Sequence, residues 1–169
     1  AVRVATARAA PAASAAADAG PTGLTVEGTI ADYSSVTDAM MRNPSPDDWL
    51  MFRGNYQAWS YSPLDQINLD NVGDLRLQWA WAMAEGGWSQ PAPIVHDGIL
   101  FLFNMGNVVQ ALNAASGELI WEHRLGPNKA SGAMRGLAIY GDNVYTATSD
   151  ARLVALDART GELVWDTTM

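Results

Sequence analysis

Ala111-Leu112-Asn113-Ala114-Ala115-Ser116-Gly117-Glu118-Leu119-Ile120-Trp121 and Ala155-Leu156-Asp157-Ala158-Arg159-Thr160-Gly161-Glu162-Leu163-Val164-Trp165 are two copies of one eleven-residue pattern, set 44 residues apart. The register extends outward from both copies without a gap. Before and within the first, 93–96, 99–103, 108–112 and 119–123 read as short strands, with Asp97-Gly98 as a hairpin signal and Asn104-Met105-Gly106-Asn107 as a second turn. Around the second, the same layout returns at 136–140, 144–148, 153–156 and 163–166.

A period of 40–50 residues carrying four strands is the size of one propeller blade. The expected fold is therefore all-β: a β-propeller, of which this chain supplies an opening segment and about two four-stranded antiparallel blades. A blade has two apolar faces and must be sandwiched between neighbours. In Ser116-Gly117-Glu118 and Thr160-Gly161-Glu162 the glycine stands where positive φ is required, and the tryptophan three residues beyond Glu can pack across the adjacent blade. A weaker echo lies upstream. Asn71-Val72-Gly73-Asp74-Leu75 leads to Trp79, 42 residues before Trp121, and reads as the last strand of a preceding, incomplete blade.

The flanking sequence divides the chain into 1–45 and 46–169. Residues 1–20 are nearly all Ala, with Pro, Ser and two Arg, and lack the bulky apolar core of a secretory signal. They read as a mature tail or leader remnant, a mobile linker that cannot contribute a core. Within 21–45 one short helix is expected: Ser34 or Ser35 as its cap, Val36, Ala39 and Met40 on one face, and Asn43-Pro44 as its stop. Ser45-Pro46-Asp47-Asp48 then turns the chain into Trp49.

Composition narrows the function. Ten Lys+Arg against eighteen Asp+Glu give a net charge of −8, with Lys129 the only lysine; such a surface repels phosphate backbones and anionic lipid, so neither nucleic acid nor a membrane surface is an expected partner. No run approaches the roughly 18 apolar residues of a membrane span. With no cysteine, disulfides, thiolate metal sites and cysteine nucleophiles are excluded.

Several constellations are absent: no Gly-x-Gly-x-x-Gly, no phosphate loop, no nucleophile elbow. The two histidines, His96 and His123, have no partner histidine at ligand spacing and read as polar strand residues. Asp142, Asp150 and Asp157 read as turn and capping residues, and Phe101, Phe103 and Tyr145 as core.

The duplicated segment resembles the tryptophan-docking motif of dehydrogenases that use pyrroloquinoline quinone (PQQ), a motif also shared by non-enzymatic propellers such as outer-membrane assembly scaffolds. More specific is Asp48-Trp49-Leu50-Met51-Phe52-Arg53-Gly54, followed by Tyr61-Ser62-Pro63-Leu64-Asp65-Gln66-Ile67-Asn68 and Asn71-Val72. That stretch resembles the opening of the family's mature chain, so the sequence is identified as an N-terminal part of a PQQ-dependent alcohol dehydrogenase.

The resemblance implies an eight-bladed propeller with PQQ on its axis beside a calcium or lanthanide ion. It implies a periplasmic enzyme that oxidises a small alcohol by hydride transfer to the quinone, with an aspartate as base and a cytochrome c or similar electron acceptor. By alignment, Arg135 falls where the family places an arginine on the quinone oxygens or a carboxylate. A guanidinium suits the planar oxygen pairs of this tricarboxylate, though a solvated strand-end charge competes as a reading. Gln90, in Gln90-Pro91-Ala92-Pro93, falls where methanol-oxidising members keep a cofactor-contacting glutamate, and ordinary loop polarity competes there.

Two departures stand out. Many members carry adjacent cysteines as a lid over the PQQ face, and the corresponding stretch here, near Lys129-Ala130, has none. That points towards cysteine-less relatives acting on bulkier secondary or cyclic alcohols. Two blades also cannot close a ring, so the metal ligands, the tryptophan floor and the catalytic aspartate are expected outside this chain, on remaining blades from a C-terminal part or another chain. A cofactor-free binding scaffold, and a fragment active only with a complementing chain, are the alternatives.

Overall fold

The computed structural model describes residues 21–83, 90–126 and 136–169. Two antiparallel sheets follow one another along the chain. The first contains β2 (Ile94–His96), β3 (Ile99–Asn104), β4 (Val108–Asn113) and β5 (Leu119–Arg124), and the second β6 (Ala138–Tyr140), β7 (Asn143–Ala147), β8 (Arg152–Asp157) and β9 (Leu163–Thr168). These are the eight strands expected from the repeat, each within two residues of its anticipated ends.

The duplication holds down to single hydrogen bonds. Asn113 Oδ1 accepts from the backbone N–H of Ala115 and Ser116, and Asp157 Oδ1 from those of Arg159 and Thr160. Gly117 N donates to the Asn113 carbonyl and Gly161 N to that of Asp157, both at 2.8 Å. A register shift falls at Ala111/Leu112 in one sheet and at Ala155/Leu156 in the other. The Asp97-Gly98 hairpin has positive φ at both central residues, 49° and 72°, the signature of a type I′ turn whose twist matches the strands.

The tryptophans lock consecutive units. Trp79 Nε1 donates to the Ala114 carbonyl and Trp121 Nε1 to the Ala158 carbonyl, each at 3.0 Å, at equivalent positions of the repeat. Each indole lies flat on the motif glycine of the next unit. A Cβ placed on Gly117 would sit 2.5 Å from the Trp79 ring, and one on Gly161 would sit 2.6 Å from Trp121. Both glycines also have φ of +73°. Glycine is thus demanded twice over, by backbone conformation and by contact.

Four expectations are corrected. The first sheet has five strands, in the order β1-β5-β4-β3-β2, because β1 (Gly23–Val26) pairs antiparallel with the outer edge of β5 and satisfies groups that edge would otherwise expose. The short helix α1 is Asp38–Arg42 and is capped by Thr37, not by Ser34 or Ser35. Those two serines are drawn to the hairpin turns, Ser34 donating through N and Oγ to Asp97 Oδ2 (2.7 Å each) and Ser35 through Oγ to Asp142. Val36 precedes the helix and bridges Gly141 instead of lining a helical face. Finally, residues 75–81 form no strand among the described residues: a strand exists only by pairing, and no partner strand lies beside this one, although Trp79 docks as its repeat position requires.

The stretch from Ile30 to Val36 is a belt across one end of both sheets. Ile30 N donates to the Arg159 carbonyl, Tyr33 Oη to that of Gly141, and Val36 exchanges two backbone bonds with Gly141. Ile30, Tyr33 and Val36 are buried and join one core with Phe101, Phe103, Val109, Trp121, Ile139, Val144 and Leu156. Burial and the nearby carboxylates of Asp142, Asp97 and Asp157 push the Tyr33 phenol well above its ordinary value.

A buried polar chain secures the other flank of the first sheet. Trp81 Nε1 donates to Gln110 Oε1 (3.1 Å), and Gln110 Nε2 donates to Glu122 Oε2 (2.6 Å). Glu122 Oε1 accepts from Thr25 Oγ1 and Arg124 Nε, both at 2.8 Å. Burial alone would raise the Glu122 pKa, but hydrogen bonds from Gln110, Thr25 and Arg124 outweigh it and hold the carboxyl below its usual value of 4.5. A group so depressed stabilises the fold fully above its unfolded pKa, and that contribution is lost as pH falls through the folded value. In the full-length protein, Glu122→Gln is therefore expected to narrow the gap between denaturation midpoints measured near neutrality and at acid pH below 4.5. An unchanged gap would show that the carboxylate carries none of the acid sensitivity.

Candidate cofactor site

The antiparallel register sets the end of the sheets from which the chain enters β2 and β6. Ile94 pairs with Phe101, so the chain leading into β2, with Gln90, approaches the end where β3 runs out into the Asn104–Asn107 turn. Ala138 pairs with Tyr145, so β6 is likewise entered from the end where β7 runs into the turn containing Thr148, Ser149 and Asp150. The belt and the hairpins at Asp97 and Gly141 occupy the opposite end. Gln90 is exposed, four residues before β2. Arg135 lies outside the described residues. Its neighbour Gly136 is tied down by a hydrogen bond from Thr146 Oγ1 to its carbonyl (3.1 Å).

This end is lined by neutral donors and by carboxylates already neutralised. Asn104, Asn107 and Thr148 are buried. Thr148 Oγ1 donates to Asp150 Oδ1 (2.6 Å), and Arg152 Nε donates to Asp150 Oδ2 (3.0 Å) while Nη1 holds Asp166. The Thr148 hydroxyl and the Arg152 guanidinium together hold Asp150 below its ordinary carboxylate range despite its partial burial. The Thr148 hydroxyl, the Arg152 guanidinium and the Asn107 amide at this end all donate to acceptors of the protein itself.

Among the described residues one group of three ligand types converges, Asp48, His96 and Asp97, and it lies at the belt end. His96 is fully buried; its Nε2 donates to the Ser34 carbonyl (2.8 Å) and its Nδ1 lies 3.3 Å from Asp48 Oδ1. Asp48 Oδ1 also accepts from Asp97 N, and Asp97 Oδ2 from Ser34. Every ligand atom is thus occupied by the protein itself, and the cluster is a clasp. His123 is similar: its Nδ1 donates to the Gly161 carbonyl (2.7 Å) across the seam between sheets. Both histidines are structural strand residues, as the sequence indicates. The seam contacts of Asn107 and Arg152 were not legible, since neither residue belongs to a motif and their long-range partners, Ser149 for one and Leu125 for the other, lie far along the chain.

Consecutive four-stranded units locked by tryptophans define the repeat of a β-propeller. A family model described as "PQQ: Glucose/ethanol/alcohol dehydrogenase, beta-propeller domain" matches residues 49–167, and this chain belongs to that family. The dehydrogenase subunit of the quinone alcohol dehydrogenase of Gluconobacter oxydans is 38% identical over 127 residues, covering 71% of this chain and 17% of that relative. Quinohemoprotein alcohol dehydrogenase ADH-IIG of Pseudomonas putida is 36% identical over a similar span. The solved structure of that enzyme covers 79% of this chain and 21% of its own length, with a TM-score of 0.72 and 33% identity. A europium-containing methanol dehydrogenase covers 77% of this chain and 24% of its own, with a TM-score of 0.69 and 27% identity. The chain therefore spans about a fifth of the length of the proteins it matches. No helix among the described residues is long and apolar enough to cross a membrane.

Proposed function

We propose that this chain is the N-terminal part of a periplasmic PQQ-dependent dehydrogenase that oxidises alcohols to aldehydes or ketones. The observation that carries the reading is the family match running through both sheets, on relatives that are themselves quinone alcohol dehydrogenases. Gln90 and Arg135 are the cofactor-binding residues in this reading. Gln90 hydrogen-bonds an oxygen of the cofactor without adding charge, and Arg135 pairs with a carboxylate or the quinone oxygens. When bound, PQQ supplies the oxidant that accepts the hydride lost from the alcohol carbon. The residues of this chain bind and orient; they do not take the proton.

The base and the ligands of a calcium or lanthanide ion belong to the remaining blades, whether in a C-terminal part or a second chain. A cytochrome c or similar carrier receives the electrons. The demand for further blades is supported by β9, exposed along its whole length, with Leu163, Val164 and Trp165 uncovered where Trp121, its repeat equivalent, is fully buried.

Arg135→Ala tests the reading in the full-length protein. Loss of a charge-assisted hydrogen bond of roughly 1.5–3 kcal/mol is expected to weaken PQQ binding about tenfold or more. The measurement is titration of the apoenzyme with PQQ, followed by the quinone absorbance. A dissociation constant unchanged from wild type would remove Arg135 from the site.

A further inference from the structure

Asp97-Gly98 is the one place in the chain where glycine follows an aspartate or an asparagine. That order has a chemical consequence. The backbone nitrogen of the following residue can attack the side-chain carboxyl carbon of an aspartate, and glycine, lacking Cβ, shields its nitrogen least. A C–N bond forms and water leaves, giving a cyclic succinimide. Hydrolysis at its backbone carbonyl then leaves the chain running through the side chain, as isoaspartate. The repeat equivalent of this pair, 44 residues on, is Gly141-Asp142, where the order is reversed and Asn143 follows the acid. Asp97 and Gly98 are both exposed, so of the two hairpins the first is the vulnerable one.

The fold adds a lock on the electrophile. Asp97 Oδ2 accepts from Ser34 N and Ser34 Oγ, both at 2.7 Å, and lies 3.3 Å from His96 Nε2. Asp97 N donates to Asp48 Oδ1 (3.2 Å), which holds the backbone on the other side. Burial alone would raise the Asp97 pKa, but the bonds from the Ser34 hydroxyl and N–H and the neighbouring His96 outweigh it and hold the carboxyl below its usual value of 3.8. An ionised carboxylate gripped by donors is a poor electrophile, because closure expels a hydroxyl that only the protonated carboxyl carries. Two bonds to the belt also oppose rotation of the side chain onto the Gly98 nitrogen. We propose that Asp97-Gly98 is a latent site of aspartate isomerisation and that Ser34, from the belt, is its guard. Isomerisation would in turn unlatch the belt from the first sheet, because it lengthens the backbone of a loop whose flanks, His96 and Ile99, are paired and moves the carboxylate off Ser34.

The test incubates the full-length protein at neutral pH, below every variant's unfolding midpoint, and follows isoaspartate at residue 97 by peptide mapping with an isoaspartyl methyltransferase as the probe. Wild type unfolded in denaturant is expected to isomerise there about tenfold or more faster than the native protein, since both charge-assisted bonds are lost. Native Ser34→Ala keeps the N–H and loses the hydroxyl, and should isomerise about threefold or more faster than wild type. Ser35→Ala is the control: its hydroxyl donates to Asp142 at the other hairpin, so its loss loosens the belt without touching Asp97 and should leave the rate within about twofold of wild type. A wild-type rate in folded Ser34→Ala, or equal acceleration by the two serine variants, overturns the proposal. So do equal rates in native and unfolded wild type, which would show that the fold gives no protection. Should Ser34→Ala not fold, that last comparison decides alone, as it needs no substitution.

Discussion

Gly161→Ala is expected to destabilise the assembled protein by roughly 2–5 kcal/mol, combining about 1–2 kcal/mol for a Cβ at positive φ with about 1–3 kcal/mol for overpacking. The second contribution arises because the new methyl would stand 2.6 Å from the Trp121 indole, which is fully buried and hydrogen-bonded to the Ala158 carbonyl. The ring cannot withdraw without breaking that bond and opening the seam. Gly98→Ala is the matched control: its φ, +72°, is nearly the same as the +73° of Gly161, but nothing lies within 4 Å of its would-be Cβ. Only the backbone contribution, about 1–2 kcal/mol, is expected there. Denaturant midpoints at unchanged m-value measure both. Equal losses would mean that the indole plays no part in the demand for glycine.

Expressed alone, residues 1–169 are expected to be aggregated or loosely folded, and neither to bind PQQ nor to oxidise alcohols. A blade buries both faces only between neighbours. Here Trp165 is 39% exposed while Trp121 is 0% exposed, and Leu69 and Leu77 of the opening segment are 95% and 84% exposed. Apolar side chains are thus uncovered on β9 and along the opening segment, and large exposed apolar patches mark interaction surfaces or aggregation. The measurements are a solubility trial, thermal unfolding, and a dye-linked alcohol assay with added PQQ and calcium, with co-expression of the remaining blades as the rescue. A cooperative, monomeric transition would show that the two sheets close on themselves. Alcohol-dependent dye reduction by the isolated chain would require a base and a metal site among these residues, and would overturn the assignment of both to later blades.

The strands, the motif glycines and the tryptophan lock were legible in the sequence because each depends on residues close along the chain. Alternation of apolar residues sets a strand, a two-residue Asp97-Gly98 loop sets a hairpin, and a turn of five residues places Gly117 or Gly161 beneath the preceding tryptophan. Duplication then multiplied the signal, since an error in one copy would have broken its match to the other. The family resemblance drew on the same stretches and on the opening segment, and so named Gln90 and Arg135 by position alone.

What the tertiary structure decided is what depends on partners far along the chain. Ser34 and Thr37 are both competent helix caps; Thr37 caps because Asp97 and Asp142, brought near by the hairpins, take Ser34 and Ser35. β1 carries no strong strand pattern in Gly23-Leu24-Thr25-Val26 and becomes a strand because the edge of β5 offers it a ladder. Glu122 looks like a surface charge beside Arg124 until Thr25 and Gln110 close over it. Asn107 is one of several turn asparagines in the sequence, and only the second sheet shows which one reaches across. Local propensity sets which elements form, but when two groups compete for one hydrogen-bond partner the winner is set by packing, which brings together residues that the sequence keeps some 40 to 100 positions apart.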